Sequence, residues 1–391
     1  MIFNRLSVKC QFKLKPCRPV LFEMKFMKKA LQIISVGVLF FLLLSSAALK
    51  EQITYDSFKP GQLWLDNKGT HINAHGGGII FFNDTYYWFG EHKVAGRKGN
   101  SAWVGFHCYS SKDLYNWRDE GIVLEVSKDP NSPIIQGCVM ERPKVVYNNK
   151  TKKFVMWFHH ELKNQGYKAA RCGVAVSDKV MGPYIFIKSV RPDVNIWPMN
   201  VTEEQKQDKS LQFVTDYTKG QESRDMTIFM DDDGAAYHIY SSESNKTTHI
   251  SKLSDDYTDH SGKYIRVFED RYMEAHTIFK RNGKYYFIAS GCTGWAPNAA
   301  RSAVADSIWG PWKELGNPCR GTDEQNKITF ESQSTFILPV QGKKDSFIFM
   351  ADRWRPRNAI DGRYIWLPIE WEDEIPVIKW YDQWDLSFFD K

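Results

Sequence analysis

Three carboxylates stand at matching places in a repeated segment, just ahead of an apolar strand. They are Glu141 in MERPKVV, Asp225 in SRDMTIF and Glu274 in MEAHTIF. Carboxylates that share a pocket can divide acid–base work, because burial or a neighbouring anion keeps one protonated while another stays ionised. The protonated group can donate a proton to a leaving oxygen, and the ionised group can activate water.

Five similar hairpins position these residues. Each has a short apolar strand, a turn of Asn, Asp, Gly or Lys, and a second strand rich in aromatic residues. The hairpins cover residues 77–90, 143–159, 226–241, 276–290 and 334–352. A further strand follows several of them, and no long 3.6-residue apolar period is present, so few helices are expected. The sequence predicts an all-β fold, a five-bladed β-propeller, whose segment 364–380 returns to the first blade and closes the ring.

The residues just before each first strand are predicted to converge on one pocket. In a propeller the innermost strands begin at the central axis, where such positions meet. Besides the three carboxylates, these positions hold His75 and Gly76 before the first hairpin and Gln333 before the fifth.

Aromatic residues make up 15% of the chain, and some of them are expected to form a sugar-binding surface. Aromatic rings can pack against the apolar faces of sugars, whereas filling wide sheets is the plainer use of such residues. Trp295, on a Gly/Pro-rich loop, and Trp354 are predicted to stack on substrate. Glu91, at the end of the first hairpin, is predicted to bind sugar hydroxyls, with capping of the sheet as the alternative. Carboxylates in an aromatic pocket are typical of glycoside hydrolysis.

Residues 1–48 are predicted to be a leader with a signal peptide, because three lysines precede an apolar run and a small-residue end. The remainder, residues 49–391, is predicted to be a single domain, secreted or periplasmic and not membrane-associated after cleavage. Eight of the 52 basic residues but one of the 46 acidic residues lie in the leader. The mature chain is therefore near neutral, which does not indicate a nucleic-acid partner.

Five cysteines remain after the leader, and none of them forms a C-x-x-C pair. This pattern indicates neither a zinc site nor a complete disulfide framework, although one or two disulfides are allowed. We expect a monomer that binds an oligo- or polysaccharide. We also expect that no cofactor or catalytic metal is required, although a structural ion in the central channel is allowed.

The motifs AHGGGI, YYWFGEHK, MERPKVVYN, SRDMTIFMDDDG, EAHTIFKRNGKYYFIASG and QSTFILP, in this order, resemble glycoside hydrolase family 43. The resemblance is nearest to the branch of exo-acting galactan 1,3-β-galactosidases, with β-galactofuranosidases and arabinofuranosidases close by. It implies a five-bladed propeller, inversion at the anomeric carbon and no cofactor for the chemistry. By position, Glu274 matches the general acid. Asp225 matches the carboxylate that raises the pKa of this acid and orients it.

The chain departs from the family where the general base is expected. Most members have Ala-Asp-Pro before the first inner strand, and Gly76 stands in place of that Asp. Glu141 has the proton affinity of a base, whereas Gln333 can only position water or act through an unusual tautomer. His75 is a third candidate for the base, although a histidine that is hydrogen-bonded to nearby backbone is the plainer interpretation. His75, Gly76 and Gln333 are also predicted to bind substrate.

The sequence thus predicts an exo-acting, inverting glycosidase that releases a terminal galactose-type sugar from β-1,3-galactan or arabinogalactan. A β-galactofuranosidase or an α-L-arabinofuranosidase is the alternative within the same class. The alternative of another class is a non-catalytic glycan-binding propeller, which the missing base favours. A strongly raised pKa of Glu274 would favour the enzyme.

Overall fold

The computed structural model describes residues 54–390, so the predicted leader lies outside the described residues. The described chain forms five four-stranded antiparallel sheets, each with its strands in sequence order. The strands are β1 His75–Phe82, β2 Thr85–Glu91, β3 Gly105–Ser111, β4 Arg118–Glu125, β5 Val139–Asn148, β6 Lys153–Glu161, β7 Arg171–Ser177, β8 Ile185–Val190, β9 Met226–Met230, β10 Ala236–Ser242, β11 Thr247–Leu253, β12 His260–Val267, β13 Met273–Arg281, β14 Lys284–Gly291, β15 Arg301–Ala305, β16 Lys313–Gly316, β17 Gln333–Pro339, β18 Phe347–Arg353, β19 Arg363–Glu372 and β20 Ile375–Ile378.

The five sheets are the blades of a β-propeller, as the sequence predicts. The first strands of successive blades, β1, β5, β9, β13 and β17, contact one another in order, and β17 contacts β1. This contact closes a ring around a central axis. Each predicted hairpin supplies the two inner strands of one blade.

The prediction for residues 364–380 is wrong. These residues form most of β19 and all of β20, which are the outer strands of the fifth blade, and Trp366 pairs with Met350 of β18. The segment completes the fifth blade because β18 offers it a free edge. The two ends of the described chain meet instead at an antiparallel bridge between Phe58 and Trp384.

Turn chemistry explains how the first hairpin forms. Asn83 and Asp84 both have positive φ, 48° and 55°, which is the conformation of a two-residue type I′ turn. Helices are few and short in the described chain: α1 Glu203–Gln207, α2 Gln212–Thr215 and α3 Asp323–Lys327. Among residues 54–390, no helix has the length and apolar character needed to cross a membrane.

Aromatic side chains fill much of the space within and between blades. The largest fully buried side chains include Trp88, Trp117, Trp157 and Trp366, so sheet packing accounts for these tryptophans. All five cysteines of the described chain are free thiols. The fold is therefore stabilised by apolar packing and strand pairing, and no disulfide contributes in this part of the chain.

Candidate active site

One pocket of about 270 Å³ receives residues from all five blades. It contains seven of the nine predicted site residues: Glu91, Glu141, Asp225, Glu274, Trp295, Gln333 and Trp354. Its wall also includes Lys93, Arg142, His159, Tyr167, Arg224, Asn245 and Gly294. A pocket at the small end of the usual range for ligand sites suits one small ligand unit rather than a long chain.

Bulges in the inner strands present two of the carboxylates. The pairing register shifts directly after Glu141 and directly after Glu274. The next residues, Arg142 and Ala275, have positive φ of 56° and 58°. A bulge of this kind bends the strand and re-aims the side chain beside it, so the repeated bulge directs both carboxylates to the same pocket.

Glu274 has the protonation behaviour of a general acid. Burial, reinforced by the nearby Asp225 carboxylate, raises the pKa of Glu274 to about 7. Asn245 Nδ2 donates a hydrogen bond to Glu274 Oε1 at 3.0 Å and fixes the carboxyl group. A carboxyl group that is still protonated in part at neutral pH can donate a proton to a leaving oxygen.

Asp225 stays ionised beside this acid. Burial tends to raise the pKa of Asp225, but the Arg142 guanidinium, the charge on His159 and a hydrogen bond from Arg142 bring it below its ordinary value. Arg142 Nε lies 2.8 Å from Asp225 Oδ2, and the backbone N–H of Ala275 donates to the same oxygen at 3.0 Å. Asp225 is therefore tied to the residue that follows Glu274, and its negative charge favours the protonated acid.

Glu141 belongs to a buried charge pair. Its Oε2 lies 3.0 Å from His159 Nδ1, and its Oε1 accepts a hydrogen bond from the Tyr167 hydroxyl at 2.8 Å. Burial lowers the pKa of His159, but the hydrogen bonds to Glu141 and Glu161 outweigh burial and raise it to about 9. The same hydrogen bond and the charge of His159 outweigh the burial of Glu141 and lower its pKa. Glu141 is thus ionised at neutral pH.

The glycines before β1 make room for other side chains. A β-carbon on Gly76 would lie 2.3 Å from Glu91 Oε1, and one on Gly78 would lie 2.6 Å from the Cδ of Lys144. Glu91 Oε1 accepts the backbone N–H of Arg142 at 3.0 Å, and Glu91 Oε2 pairs with Lys93 Nζ at 2.5 Å. The space where a side chain of residue 76 would begin is therefore filled by the Glu91 carboxylate.

His75 and Gly76 are the two predicted site residues that do not line the pocket. His75 is fully buried, and its ring stacks on Tyr364 with centroids 5.4 Å apart. Burial lowers its pKa far below the ordinary value, so the imidazole is neutral. The backbone N–H of Gly76 donates to Asp352 Oδ2 at 2.6 Å. These contacts hold both residues within the first and fifth blades.

Gln333 is fixed by three hydrogen bonds. Its Oε1 accepts from Arg142 Nη2 at 2.8 Å and from Trp354 Nε1 at 2.9 Å. Its Nε2 donates to Ser290 Oγ at 2.9 Å. An amide nitrogen carries two hydrogens, so one remains to hold water or a hydroxyl group in the pocket.

Two tryptophans form an apolar corner of the pocket. The rings of Trp295 and Trp354 meet edge to face, with centroids 5.7 Å apart. Trp295 is 39% exposed, unlike the tryptophans that fill the blades. An exposed aromatic face beside carboxylates fits a ligand that is apolar on one side and rich in hydroxyl groups on the other.

Two groups of side chains in the described chain have donor atoms close enough to hold a metal ion. One is Glu141, His159 and Asp225 in the pocket, where the raised pKa of His159 makes it an imidazolium without a free lone pair. The other is Cys172, His238 and His260, which lies away from the pocket lining.

Sequence reasoning missed several residues of the pocket. His159, near the end of β6, pairs with Glu141, just as Glu91, at the end of β2, pairs with His75. This repeat of the second strand was a usable signal for His159. Tyr167 lies in the loop after β6 and offers no comparable pattern.

A sequence model described as glycosyl hydrolases family 43 matches residues 77–376. A solved family-43 beta 1,3 galactosidase bound to galactodeoxynojirimycin is 51% identical, with coverage of 84% of this chain and 100% of the other and a TM-score of 0.81. An exo-beta-1,3-galactanase from Phanerochaete chrysosporium with beta-1,3-galactotriose is 33% identical, with coverage of 85% and 68% and a TM-score of 0.71.

A beta-D-galactofuranosidase of Aspergillus niger is 30% identical over 129 residues. The match spans 30% of this chain and 37% of the length of that enzyme.

Proposed function

This chain belongs to glycosyl hydrolases family 43, and from that premise we propose that it is an exo-acting, inverting β-1,3-galactosidase. Its substrate is the non-reducing end of β-1,3-galactan or of an arabinogalactan with that backbone. Two similar solved structures carry beta 1,3 galactosidase or exo-beta-1,3-galactanase names. The small pocket supports release of one terminal sugar.

One observation carries the proposal: a half-buried carboxyl group, Glu274, stands beside an ionised carboxylate, Asp225. The hydrogen bond from Ala275 N–H to Asp225 Oδ2 joins the two through a single backbone unit. Glu274 donates its proton to the glycosidic oxygen as the bond to the anomeric carbon breaks. Asp225 keeps that proton available at neutral pH and orients the acid. This pairing favours an enzyme over a glycan-binding propeller.

On the water side, we assign the base to Glu141 and the positioning of water to Gln333. Glu141 is ionised and can accept a proton while water attacks the anomeric carbon. The remaining N–H of Gln333 can hold the oxygen of that water. The net reaction adds one water across the bond, inverts the anomeric carbon and returns the proton from Glu141 to Glu274 through solvent.

The galactofuranosidase similarity supports a second candidate substrate, a terminal β-galactofuranoside. Glu274 and Asp225 would have the same roles on this substrate, because the leaving oxygen must be protonated whether the sugar ring has five or six members. The match covers 37% of the galactofuranosidase, whereas it covers 100% of the beta 1,3 galactosidase chain. Galactopyranose is therefore the substrate that we propose first.

Sugar release by the purified protein tests this function. The substrates are β-1,3-galactan, arabinogalactan and the nitrophenyl galactopyranoside, galactofuranoside and arabinofuranoside. Glu274→Gln is the variant that lacks the acid, and Glu324→Gln, exposed in α3, is the matched control. We expect galactose from galactan with wild type and control but not with Glu274→Gln, and an inverted anomer by NMR. Binding without release by wild type would contradict the proposal.

A further inference from the structure

A second groove of about 650 Å³ lies beside the active-site pocket. We call it the basic groove, and its charged lining residues are Lys168, Arg171, Arg191, Asp216, Lys219 and Glu222. It borders a shallower depression of about 420 Å³ that shares Leu162, Gln165 and Arg171 with it and adds Lys163. The two together form a path that leads away from the pocket along the loop after β6.

A single layer of side chains separates the pocket from the basic groove. Tyr167 lines the pocket, and the next residue, Lys168, lines the groove. Arg224 of the pocket donates to the backbone oxygen of Tyr167 at 2.6 Å and to Glu222 Oε1 of the groove at 3.1 Å. The basic groove therefore adjoins the pocket on the other side of Tyr167 and Arg224.

The positive charge of the groove is not neutralised from within. Arg191 pairs with Asp216 at 3.4 Å and with Glu222 at 3.6 Å, which engages both carboxylates. Lys168, Arg171 and Lys219 form no ion pair with any described residue. The groove thus has four cations against two carboxylates. This excess of positive charge on one concave surface attracts an anion, whereas a neutral galactan would gain nothing from it.

The geometry of the cations indicates which kind of anion would fit the groove. Arg171 is half-buried in the groove wall, and its Nη1 donates to the Ser189 backbone oxygen at 3.3 Å, so its guanidinium is held in place. A fixed planar guanidinium suits a planar carboxylate. Val190 and Val194 line the same groove and can contact the C–H bonds of a sugar ring.

We propose that the basic groove binds a uronic acid carried as a side branch on the galactan substrate. Lys168, Arg171 and Lys219 contact its carboxylate while the terminal galactose occupies the pocket. This assignment rests on the proposed function and adds a substrate class to it: acid-branched β-1,3-galactan.

The test compares two forms of one polymer, a glucuronosyl-branched β-1,3-galactan and the same polymer after reduction of its carboxyl groups. The variant combines Lys168→Gln, Arg171→Gln and Lys219→Gln. The matched control combines Lys263→Gln, Lys313→Gln and Lys327→Gln, which are exposed lysines elsewhere on the propeller. Galactose release is measured as kcat/KM at low salt and in 0.5 M NaCl, and circular dichroism checks folding.

We expect the groove variant to lose about tenfold in kcat/KM on the acidic polymer at low salt and to match wild type on the reduced polymer. High salt should shrink the wild-type preference for the acidic polymer, because it screens exposed charges. An equal loss on both polymers, or no loss on either, overturns the groove assignment while galactan cleavage stands. Failure of wild type to cleave unbranched β-1,3-galactan overturns the proposed function and this assignment with it. The single substitution Arg171→Lys repeats the test if the triple variant misfolds, with a smaller loss confined to the acidic polymer expected.

Discussion

A β-carbon on Gly76 would lie 2.3 Å from Glu91 Oε1, so residue 76 and the Glu91 carboxylate compete for the same space. The resemblance places the family's usual base at residue 76, whereas in this chain a carboxylate from the neighbouring strand, β2, fills that space. Gly76 also has φ of +62°, a backbone conformation that is strained for residues other than glycine.

The first prediction concerns the substitution Gly76→Ala. Positive φ alone should lower the free energy of unfolding by about 1–2 kcal/mol. Gly76→Ala should lower it further, because the added methyl group must also displace Glu91. Gly69→Ala is the control, since Gly69 has φ of +74° and nothing within 4 Å of an added β-carbon. Urea unfolding measures both variants. An equal loss of unfolding free energy in Gly76→Ala and Gly69→Ala would show that Glu91 does not constrain residue 76.

The second prediction concerns pH. The pKa of Glu274 is raised to about 7, and the acid works only when protonated, so kcat/KM should fall as pH rises through about 7. Asp225→Asn removes the neighbouring anion, which lowers the pKa of Glu274 and moves this fall to lower pH. Initial rates from pH 4 to 9 measure the shift. If the fall in kcat/KM at alkaline pH stays in place or moves to higher pH in Asp225→Asn, then Asp225 does not raise the pKa of Glu274.

The third prediction concerns the base. Three alanine variants, at Glu141, Glu91 and Gln333, are compared with and without azide, a small anion that attacks without needing a base. Azide should restore turnover in Glu141→Ala alone and yield an α-galactosyl azide, the product of inversion. Rescue of Glu91→Ala instead would assign the base to the carboxylate that fills the space beside Gly76.

The fourth prediction concerns the hydrogen bond from Trp354 Nε1 to Gln333 Oε1, which is 2.9 Å long. Trp354→Phe keeps an aromatic wall but removes this donor, so kcat should fall about three- to tenfold with little change in KM. Trp295→Phe is the control, because no described residue accepts a hydrogen bond from its indole. A larger rise in KM than fall in kcat for Trp354→Phe would mean that Trp354 acts by stacking alone.

The repeat of the hairpins made the five-bladed fold predictable, because strand, turn and strand recur with the same residue types. The repeat also located Glu141, Asp225 and Glu274, since residues at one place in each blade converge on the axis. The fate of residues 364–380 was not predictable in this way, because nothing local distinguishes a strand that returns to the first blade from one that completes the last.

Two features of the site depend on packing that no sequence motif shows. His75 stands where Glu141 and Glu274 stand in their own blades, yet it stacks on Tyr364 of β19, almost 300 residues away. Tyr167 reaches Glu141 from an irregular loop. Residues so distant in the chain come into contact only when the blades pack together into the ring.

The central claim is that Glu274 is the proton donor, and the dependence of rate on the leaving group tests it most directly. A series of aryl β-galactosides with leaving-group pKa values from about 4 to 10 is hydrolysed by wild type and by Glu274→Gln. A good leaving group departs without a proton, so Glu274→Gln should approach wild type with the most acidic phenols and fall behind by about 10²- to 10⁴-fold with the least acidic. The same dependence on leaving-group pKa in both proteins would contradict the assignment of Glu274 as the acid.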